Sequence, residues 1–169
     1  VYKMDMSNTS VAIRQYYQGV TGLTDQIELH YLSEVKPGYF WLFPAGNGKA
    51  NIGIGLSKSA AKQDKRTLKQ IMDEIIRSPF FQERFANASE LEKPSGWNLP
   101  MGSIHRKNYG DGYMLLGDAA GLIDPFTGEG IGNAMVAAKY AISVANKAKN
   151  LDDYSRKVFK EYDTLLWEE

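Results

Sequence analysis

Apolar and polar residues alternate with a period of two over the first third of the chain, in short runs separated by Gly-, Pro-, Asn- and Asp-containing turns. A period of two places apolar side chains on one face of a β-strand. Asn47-Gly48 is typical of a tight turn, because both residues tolerate positive φ. The pattern predicts an antiparallel meander with a hairpin at Asn47-Gly48. The predicted strands are SVAIRQYYQGV, QIELHYL, YFWLFPAG and ANIGIGL.

From Ser59 the apolar period lengthens to that of a helix. One apolar stripe over residues 59–78 predicts a helix that ends or kinks at Pro79, because proline cannot continue a helix. A short second helix is predicted over residues 79–86, and extended structure over residues 90–106. The stripe consists of Leu68, Ile71, Ile75 and Ile76.

The last third of the chain predicts a strand followed by two helices. GYMLLGD, residues 112–118, is continuously apolar, which is typical of a parallel strand buried on both faces. Residues 128–148 are apolar nearly all round and rich in alanine, which predicts a helix packed at close range. A final amphipathic helix is predicted after Leu151, with Asp152 or Asp153 as its N-cap. Strands followed by helices in this order predict an α+β fold.

Composition and charge exclude several classes of function. Twenty basic and twenty acidic residues cancel, which argues against nucleic acid as a partner. The absence of cysteine excludes disulfides and thiolate metal sites, and we assign no metal ligands. No apolar run approaches the roughly 20 residues of a spanning helix. We therefore expect a cytoplasmic protein, soluble or in peripheral contact with the inner face of the membrane.

Gly117-Asp118 and the glycines ten residues later are the strongest chemical signal. A carboxylate at a strand end can accept hydrogen bonds from hydroxyl groups. Thr127-Gly128-Glu129-Gly130 opens a helix whose first N–H groups favour negative charge. A polyol on one side and a ring that becomes anionic on the other describe a reduced flavin. A turn with an N-cap, and glycines that only permit close packing, explain the same spacing.

A resemblance favours the flavin. GYMLLGDAAGLIDPFTGEGIGNAM is similar to the second flavin-binding motif of the para-hydroxybenzoate-hydroxylase-like flavoproteins. The resemblance implies that Gly117 and Asp118 contact the ribityl chain and that Pro125 and Phe126 lie near the reactive edge of the ring. It further implies that the pyrimidine end of the ring contacts the backbone of Gly128, Gly130 and Ile131.

A second motif resembles one branch of these flavoproteins. YFWLFPAGNGKANIGIG is similar to the substrate-cavity signature of geranylgeranyl reductases, and VAIRQYYQGV and LPMG resemble the same family. Period two puts three aromatic residues on one face, where they form either a cavity wall or the core face of a strand. The resemblance favours the cavity. The implied substrate-binding residues are Tyr39, Trp41, Phe43, Pro44, Gly53 and Gly55.

The family resemblance implies an FAD-dependent oxidoreductase that saturates prenyl double bonds by hydride transfer from reduced flavin and protonation. It also implies a prenyl-chain substrate and an electron donor whose identity it leaves open. Candidate proton donors are Tyr39 and His105. Glu129, beside the flavin loop, would either hydrogen-bond substrate or solvent or complement the dipole of the helix that follows. The alternatives are a flavin-dependent aromatic hydroxylase and a non-catalytic module that binds an apolar ligand.

The chain lacks the G-x-G-x-x-G fingerprint that opens complete members of the family. We expect it to be the C-terminal portion of a larger flavoprotein that is α/β as a whole. Residues 1–108 would belong to the substrate-binding domain, with a helical insert at about 59–86, and residues 109–169 to the FAD-binding domain. Alone, the chain is predicted to bind FAD weakly or not at all, without turnover. Its orphaned strand GYMLLGD would then need other cover, for which a homo-oligomer is one source.

Overall fold

The computed structural model of the chain describes residues 8–168, which form two compact units. The first unit comprises residues 9–98, and the second comprises residues 99–168 together with Asn8. Both helices and antiparallel strands are present, so the predicted α+β class is confirmed. The functional division at residue 108 stays a prediction.

An antiparallel sheet forms the framework of the first unit. Its strands are β1 Thr9–Gln18, β2 Glu28–His30, β3 Gly38–Pro44, β4 Lys49–Ser57, β5 Ser89–Glu90 and β6 Ser95–Pro100. Their order across the sheet is β2-β3-β4-β1-β5, and β6 also pairs with β1. The long pairs β1–β4 and β3–β4 are antiparallel. The predicted meander is confirmed for β2, β3 and β4 but is wrong for β1, which lies beside β4 rather than β2, because alternation does not specify a strand's partner.

The predicted hairpin connects β3 to β4. Asn47 and Gly48 adopt φ values of 51° and 69°. The amide of Lys49 donates to the carbonyl of Gly46 at 2.9 Å, which closes a tight turn around these two residues. The Asn-Gly prediction is confirmed, because positive φ at both central positions is what this turn requires.

Three short helices follow β4: α1 Lys58–Gln63, α2 Leu68–Ile76 and α3 Gln82–Phe85. The single helix predicted over residues 59–78 is wrong, because the chain is extended at Asp64 and restarts at Thr67. The Thr67 hydroxyl accepts from the Gln70 amide, and the Gln70 side chain accepts from the Thr67 amide. This capping box satisfies the first donors of α2, so it favours a new helix start over continuation.

The hydrophobic core of the first unit lies between one face of the sheet and these helices. Alternate residues of β3 and β4 point into it, in keeping with the period of two. The predicted stripe of α2 supplies the opposing layer. Fully buried core side chains include Phe40, Leu42, Ile52, Ile54, Ile71 and Met72.

The second unit begins with a small hairpin, β7 Tyr109–Gly110 and β8 Tyr113–Met114, which pair antiparallel. The parallel strand predicted over GYMLLGD is therefore wrong. Gly112 has φ 78° and lies in the turn that sends β8 back along β7. Met114 and Leu116 pack against helices of the same chain, which cover part of this segment, whereas Tyr113 is exposed.

Three helices complete the second unit: α4 Gly117–Ala120, α5 Ile131–Leu151 and α6 Arg156–Trp167. The predicted N-cap of the last helix is wrong. Asp152 ends α5 in the left-handed conformation, and Ser155 is the N-cap residue of α6. Asp153 instead accepts a hydrogen bond from the Ser155 amide, which makes a turn between the two helices.

One face of α5 is buried, although its sequence is apolar nearly all round. Ala137, Val144 and Ala148 are buried, whereas Met135 and Ile142 are 70% and 63% exposed. The described length, residues 8–168, contains no helix that is long and apolar enough to cross a membrane.

Candidate functional site

Gly117 and Asp118 begin the one-turn helix α4 rather than end a strand. Gly117 is buried with φ 53°, and a Cβ there would lie 3.1 Å from the Cβ of Ala134 in α5. Glycine therefore fits this position both by its positive φ and by the close approach of α5. The turn leaves the Asp118 side chain exposed at the start of α4.

The structure brings Asp118 and Gly130 together. A Cβ on Gly130 would lie 3.3 Å from Oδ1 of Asp118 and 3.2 Å from Ile123. No described residue donates a hydrogen bond to the Asp118 carboxylate. An exposed carboxylate beside a backbone without a side chain can accept hydrogen bonds from a ligand's hydroxyl groups.

Asp124 organises the loop that joins these two residues. Its Oδ1 accepts from the amides of Phe126 and Thr127, at 3.0 and 2.6 Å, and from the Thr127 hydroxyl at 2.8 Å. These bonds, with those of Thr127 foremost, hold the pKa of Asp124 below its usual value. Asp124 was not among the predicted site residues, although Asp-x-x-Thr at a loop is a signal for such a turn.

The apolar residues of this loop are open to solvent. Phe126 is 82% exposed and Ile131 is 78% exposed, on either side of the glycine pair Gly128 and Gly130. Pro125 is also exposed. Gly128 adopts φ 75° and donates to the carbonyl of Asp124 at 2.9 Å, which closes the turn. All seven predicted flavin contacts therefore lie within one segment, 117–131.

The N-terminus of α5 already carries a carboxylate. Oε1 of Glu129 accepts from the Gly132 amide at 2.6 Å, which satisfies one of the free donors of the first turn. The negative charge also complements the helix dipole. Glu129 thus complements the start of α5 in this structure, one of the two roles predicted for it.

The aromatic motif lies on the open face of the first unit's sheet. Phe40 and Leu42 point into the core, whereas Tyr39, Trp41 and Phe43 point away from it and are half-buried. The alternative that these three residues form the core face of the strand is therefore wrong. Their rings form a row, with centroids 6.1 Å apart for the first pair and 6.2 Å for the second.

Both glycines of the motif stand opposite this row on β4. Trp41 is paired with Gly53 and Tyr39 with Gly55. The indole lies over β4, and its Nε1 donates to Oδ1 of Asn51 at 2.8 Å. Pro44 ends β3. The six predicted substrate-binding residues thus occupy two adjacent strands, and the glycines leave the space that the indole fills.

Two candidate proton donors have distinct surroundings. Burial, followed by the nearby Tyr31, raises the pKa of Tyr39 above its usual value. His105 pairs with Asp163 of α6 at 3.0 Å and contacts the Trp167 ring. The contacts of His105 are those of a residue that secures α6.

Arg106, which the sequence analysis did not single out, is buried behind α4. Its guanidinium donates to the carbonyls of Met101 and Gly121, at 2.7 and 3.4 Å. A Cβ on Gly121 would lie 2.8 Å from this guanidinium. Arg106 therefore holds the end of α4 in position through backbone groups.

Comparison with known proteins identifies the family. The family model of the geranylgeranyl reductase catalytic domain matches residues 9–96, just over half of the chain. A digeranylgeranylglycerophospholipid reductase from Methanococcoides burtonii is 40% identical over 132 residues, which are 78% of this chain and 30% of the relative. One from Methanocaldococcus jannaschii is 36% identical and covers 86% of this chain and 35% of the relative. The chain spans about a third of the length of these relatives.

Solved structures agree in fold. A geranylgeranyl bacteriochlorophyll reductase-like protein from Thermoplasma acidophilum matches with a TM-score of 0.85 and 30% identity, over 97% of this chain and 40% of that protein. A flavin-dependent brominase matches with a TM-score of 0.70 at 19% identity, over 92% of this chain and 39% of the brominase, which shows the fold alone. From the matched catalytic domain and these relatives, we conclude that the chain belongs to the geranylgeranyl reductase family.

Proposed function

We propose that this chain is part of an FAD-dependent oxidoreductase that saturates the double bonds of prenyl chains in lipid biosynthesis. The observation that carries the proposal is the row Tyr39, Trp41 and Phe43 on the sheet face away from the core. An extended apolar ligand can lie against such a row and bury it. The relatives are named as reductases of digeranylgeranylglycerophospholipid, which carries prenyl chains.

The segment 117–131 fits the cofactor side of this proposal. Asp118 offers an exposed carboxylate to ribityl hydroxyl groups, and Gly130 leaves room beside it. Phe126 and Ile131 present apolar surface that a flat ring would cover. Gly117, Pro125 and Gly128 shape this segment. Bound here, the flavin supplies the hydride for an alkene carbon, and the chain's residues orient the ring.

Tyr39 is the candidate proton donor within the apolar face. Its phenol, whose pKa burial raises above the usual value, carries its proton at neutral pH as any tyrosine does. Its ring contacts Tyr31 and Trp41, so the hydroxyl is carried on a packed aromatic row. A phenol held beside a bound alkene can deliver a proton to one carbon.

The test is an assay of the reductase that contains this chain, with a geranylgeranyl lipid as substrate and dithionite as reductant. Mass spectrometry should detect products that gain two hydrogens for each saturated bond. Trp41→Ala should slow the reaction, while Phe43→Leu, which keeps apolar surface, should slow it less. Unchanged lipid, or a product that gains oxygen as a hydroxylase would form, contradicts the proposal.

Peripheral membrane contact and self-association extend the proposal. Exposed apolar side chains near the edge strand β2 favour contact with a membrane that holds prenyl lipids. Ile27, Tyr31 and Phe80 are 66%, 62% and 71% exposed. The chain should then co-sediment with vesicles of anionic phospholipid. The double variant Tyr31→Ser and Phe80→Ser should reduce the fraction of chain that co-sediments. The mass of the chain in solution tests a homo-oligomer through residues 112–118.

A further inference from the structure

The open face of the sheet carries a cation beside its aromatic row. Arg14 of β1 pairs with Gly53 of β4, and Gly53 pairs with Trp41 of β3. Arg14, Gly53 and Trp41 therefore form one row across three strands. Adjacent strands are about 4.8 Å apart, so Arg14 and Trp41 have backbones about 10 Å apart on the same face.

The Arg14 guanidinium lies over an aromatic ring and in an ion pair. It lies 5.1 Å from the centroid of the Tyr16 ring, on the same face. It also donates to the carboxylate of Glu92. The two side chains of this pair are 41% and 40% exposed. Exposed ion pairs contribute little to stability, so a ligand can replace Glu92 at small cost.

The position of Glu92 is set by its backbone rather than by the ion pair. Its carbonyl accepts from Nε2 of Gln15 at 2.7 Å, and Gln15 is fully buried. The preceding Leu91 donates its amide to the carbonyl of Tyr16 at 2.9 Å. The carboxylate can therefore turn away from Arg14 while its backbone stays in place.

We propose that Arg14 binds the anionic phosphate group of the prenyl substrate, with Glu92 as the counterion that the phosphate displaces. A prenyl lipid with a phosphate head needs an apolar surface and a cation within one molecule's reach. The row from Trp41 to Arg14 offers both. A guanidinium binds phosphate through two parallel hydrogen bonds, which favours phosphate over a single carboxylate contact. This inference rests on the proposed function, because it takes the open face as the substrate site.

The test measures the affinity of the 169-residue chain for farnesyl monophosphate and for farnesol by calorimetry. The two probes share the prenyl chain and differ in the phosphate. Arg14→Gln should weaken binding of farnesyl monophosphate roughly 10- to 100-fold, because a hydrogen bond to a charged group is lost. The affinity for farnesol should not change. Arg14→Lys should give an intermediate loss, because lysine keeps the charge but not the paired donors.

Two further variants sharpen the test. Glu92→Gln should strengthen binding of farnesyl monophosphate several-fold, because it removes the competing carboxylate. Arg66→Gln is the matched control: Arg66 also forms partly exposed ion pairs, with Asp64 and Glu74, but it lies between α1 and α2. It should leave both affinities unchanged.

The outcomes separate the two proposals. If Arg14→Gln weakens both probes equally, or neither, or if Glu92→Gln fails to strengthen phosphate binding, the role of Arg14 is overturned. In that case the measured affinity for farnesol still tests whether the open face of the sheet binds a prenyl chain. If the unaltered chain binds neither probe, the proposed function and the role of Arg14 both fail.

Discussion

The indole of Trp41 occupies the space that a side chain at Gly53 would fill. A Cβ on Gly53 would lie 2.2 Å from Cζ2 of Trp41 and 2.3 Å from the carbonyl oxygen of Ile13. At Gly55 the nearest atoms to such a Cβ are 3.8 Å and 3.9 Å away. The two glycines of the motif thus differ. The indole and the backbone exclude any side chain at Gly53, whereas a methyl group fits at Gly55.

Gly53→Ala should therefore destabilise the chain, and Gly55→Ala should not. The first change forces the indole and the β1 backbone to move, which typically costs about 1–3 kcal/mol. The second adds a methyl group at ordinary contact distance, so the free energy of unfolding should change by less than about 0.5 kcal/mol. Urea denaturation followed by circular dichroism measures both. Equal stabilities of the two variants would contradict the assigned position of the indole.

The isolated chain should bind FAD weakly or not at all and should not turn over substrate. Segment 117–131 is proposed to contact only the flavin ring and ribityl chain, and no G-x-G-x-x-G fingerprint is present in the sequence to hold the ADP half. Quenching of FAD fluorescence on titration with the chain measures the affinity. Asp118→Asn should weaken whatever binding is seen, because the amide is a poorer acceptor than the carboxylate. Tight stoichiometric binding by this chain would contradict the prediction.

Tyr162→Phe should lower stability by about 1 kcal/mol, because it removes one hydrogen bond inside the second unit. The Tyr162 hydroxyl donates to the carbonyl of Leu115 at 2.7 Å, and the side chain is fully buried. Thermal unfolding measures the loss. Phe159→Leu is a comparison in the same helix that changes packing without touching a hydrogen bond.

The same residue predicts a loss of stability at alkaline pH. Burial, with a smaller effect of the Asp163 charge, raises the pKa of Tyr162 to about 12. A raised pKa means that the folded state holds the proton more tightly than the unfolded state. The resulting stability is complete below about pH 10, the unfolded pKa, and is lost as the pH rises through about 12. Stability measured against pH should fall less steeply over this range in Tyr162→Phe. An identical slope would show that Tyr162 ionises normally.

Substitutions on α5 should separate its two faces. Val144 is 1% exposed and Ile142 is 63% exposed. Val144→Ala should cost about 1–2 kcal/mol, because it removes buried methyl groups and leaves a cavity. Ile142→Ala should change stability by less than about 0.5 kcal/mol. Denaturant titration of the two variants is the measurement, and a large loss for Ile142→Ala would show that this face is covered.

The sequence predicted the antiparallel strands well, because each carries its own alternation and its own turn signal. It did not predict that β1 lies beside β4, because alternation does not specify a partner. Asn47-Gly48 needs no distant contact to adopt its conformation. The prediction from sequence was wrong at GYMLLGD, because a run of apolar residues does not specify which strand it pairs with. There, the turn at Asp111-Gly112 pairs the segment with β7 and the helices cover part of it. The prediction was also wrong between α1 and α2. The capping-box signal Thr67-x-x-Gln70 is present there, but the helical period of residues 59–78 predicted one continuous helix.

The residue types that form the candidate site were predictable from the sequence, whereas the roles of these residues were predictable only in part. Gly117 and Gly128 have the positive φ that makes glycine informative in a sequence. The roles of Glu129 and Asp124 depend on hydrogen bonds to nearby amides, for which several conformations compete locally. Arg14 was not predicted as a site residue, because a single cation within a strand forms no recognisable sequence motif. Its position became informative only through the register that aligns it with Trp41.

The Asp124 turn has a consequence for the thermodynamics of ligand binding. Three hydrogen bonds to one carboxylate fix the backbone between α4 and α5 from within the loop itself. The conformational entropy of this segment is therefore lost when the chain folds, and little remains to be lost when a ligand arrives. A ring that contacts Phe126 and Gly130 would bind to a preorganised loop. Its affinity should therefore depend on contacts and charge, and little on the entropy of ordering the loop.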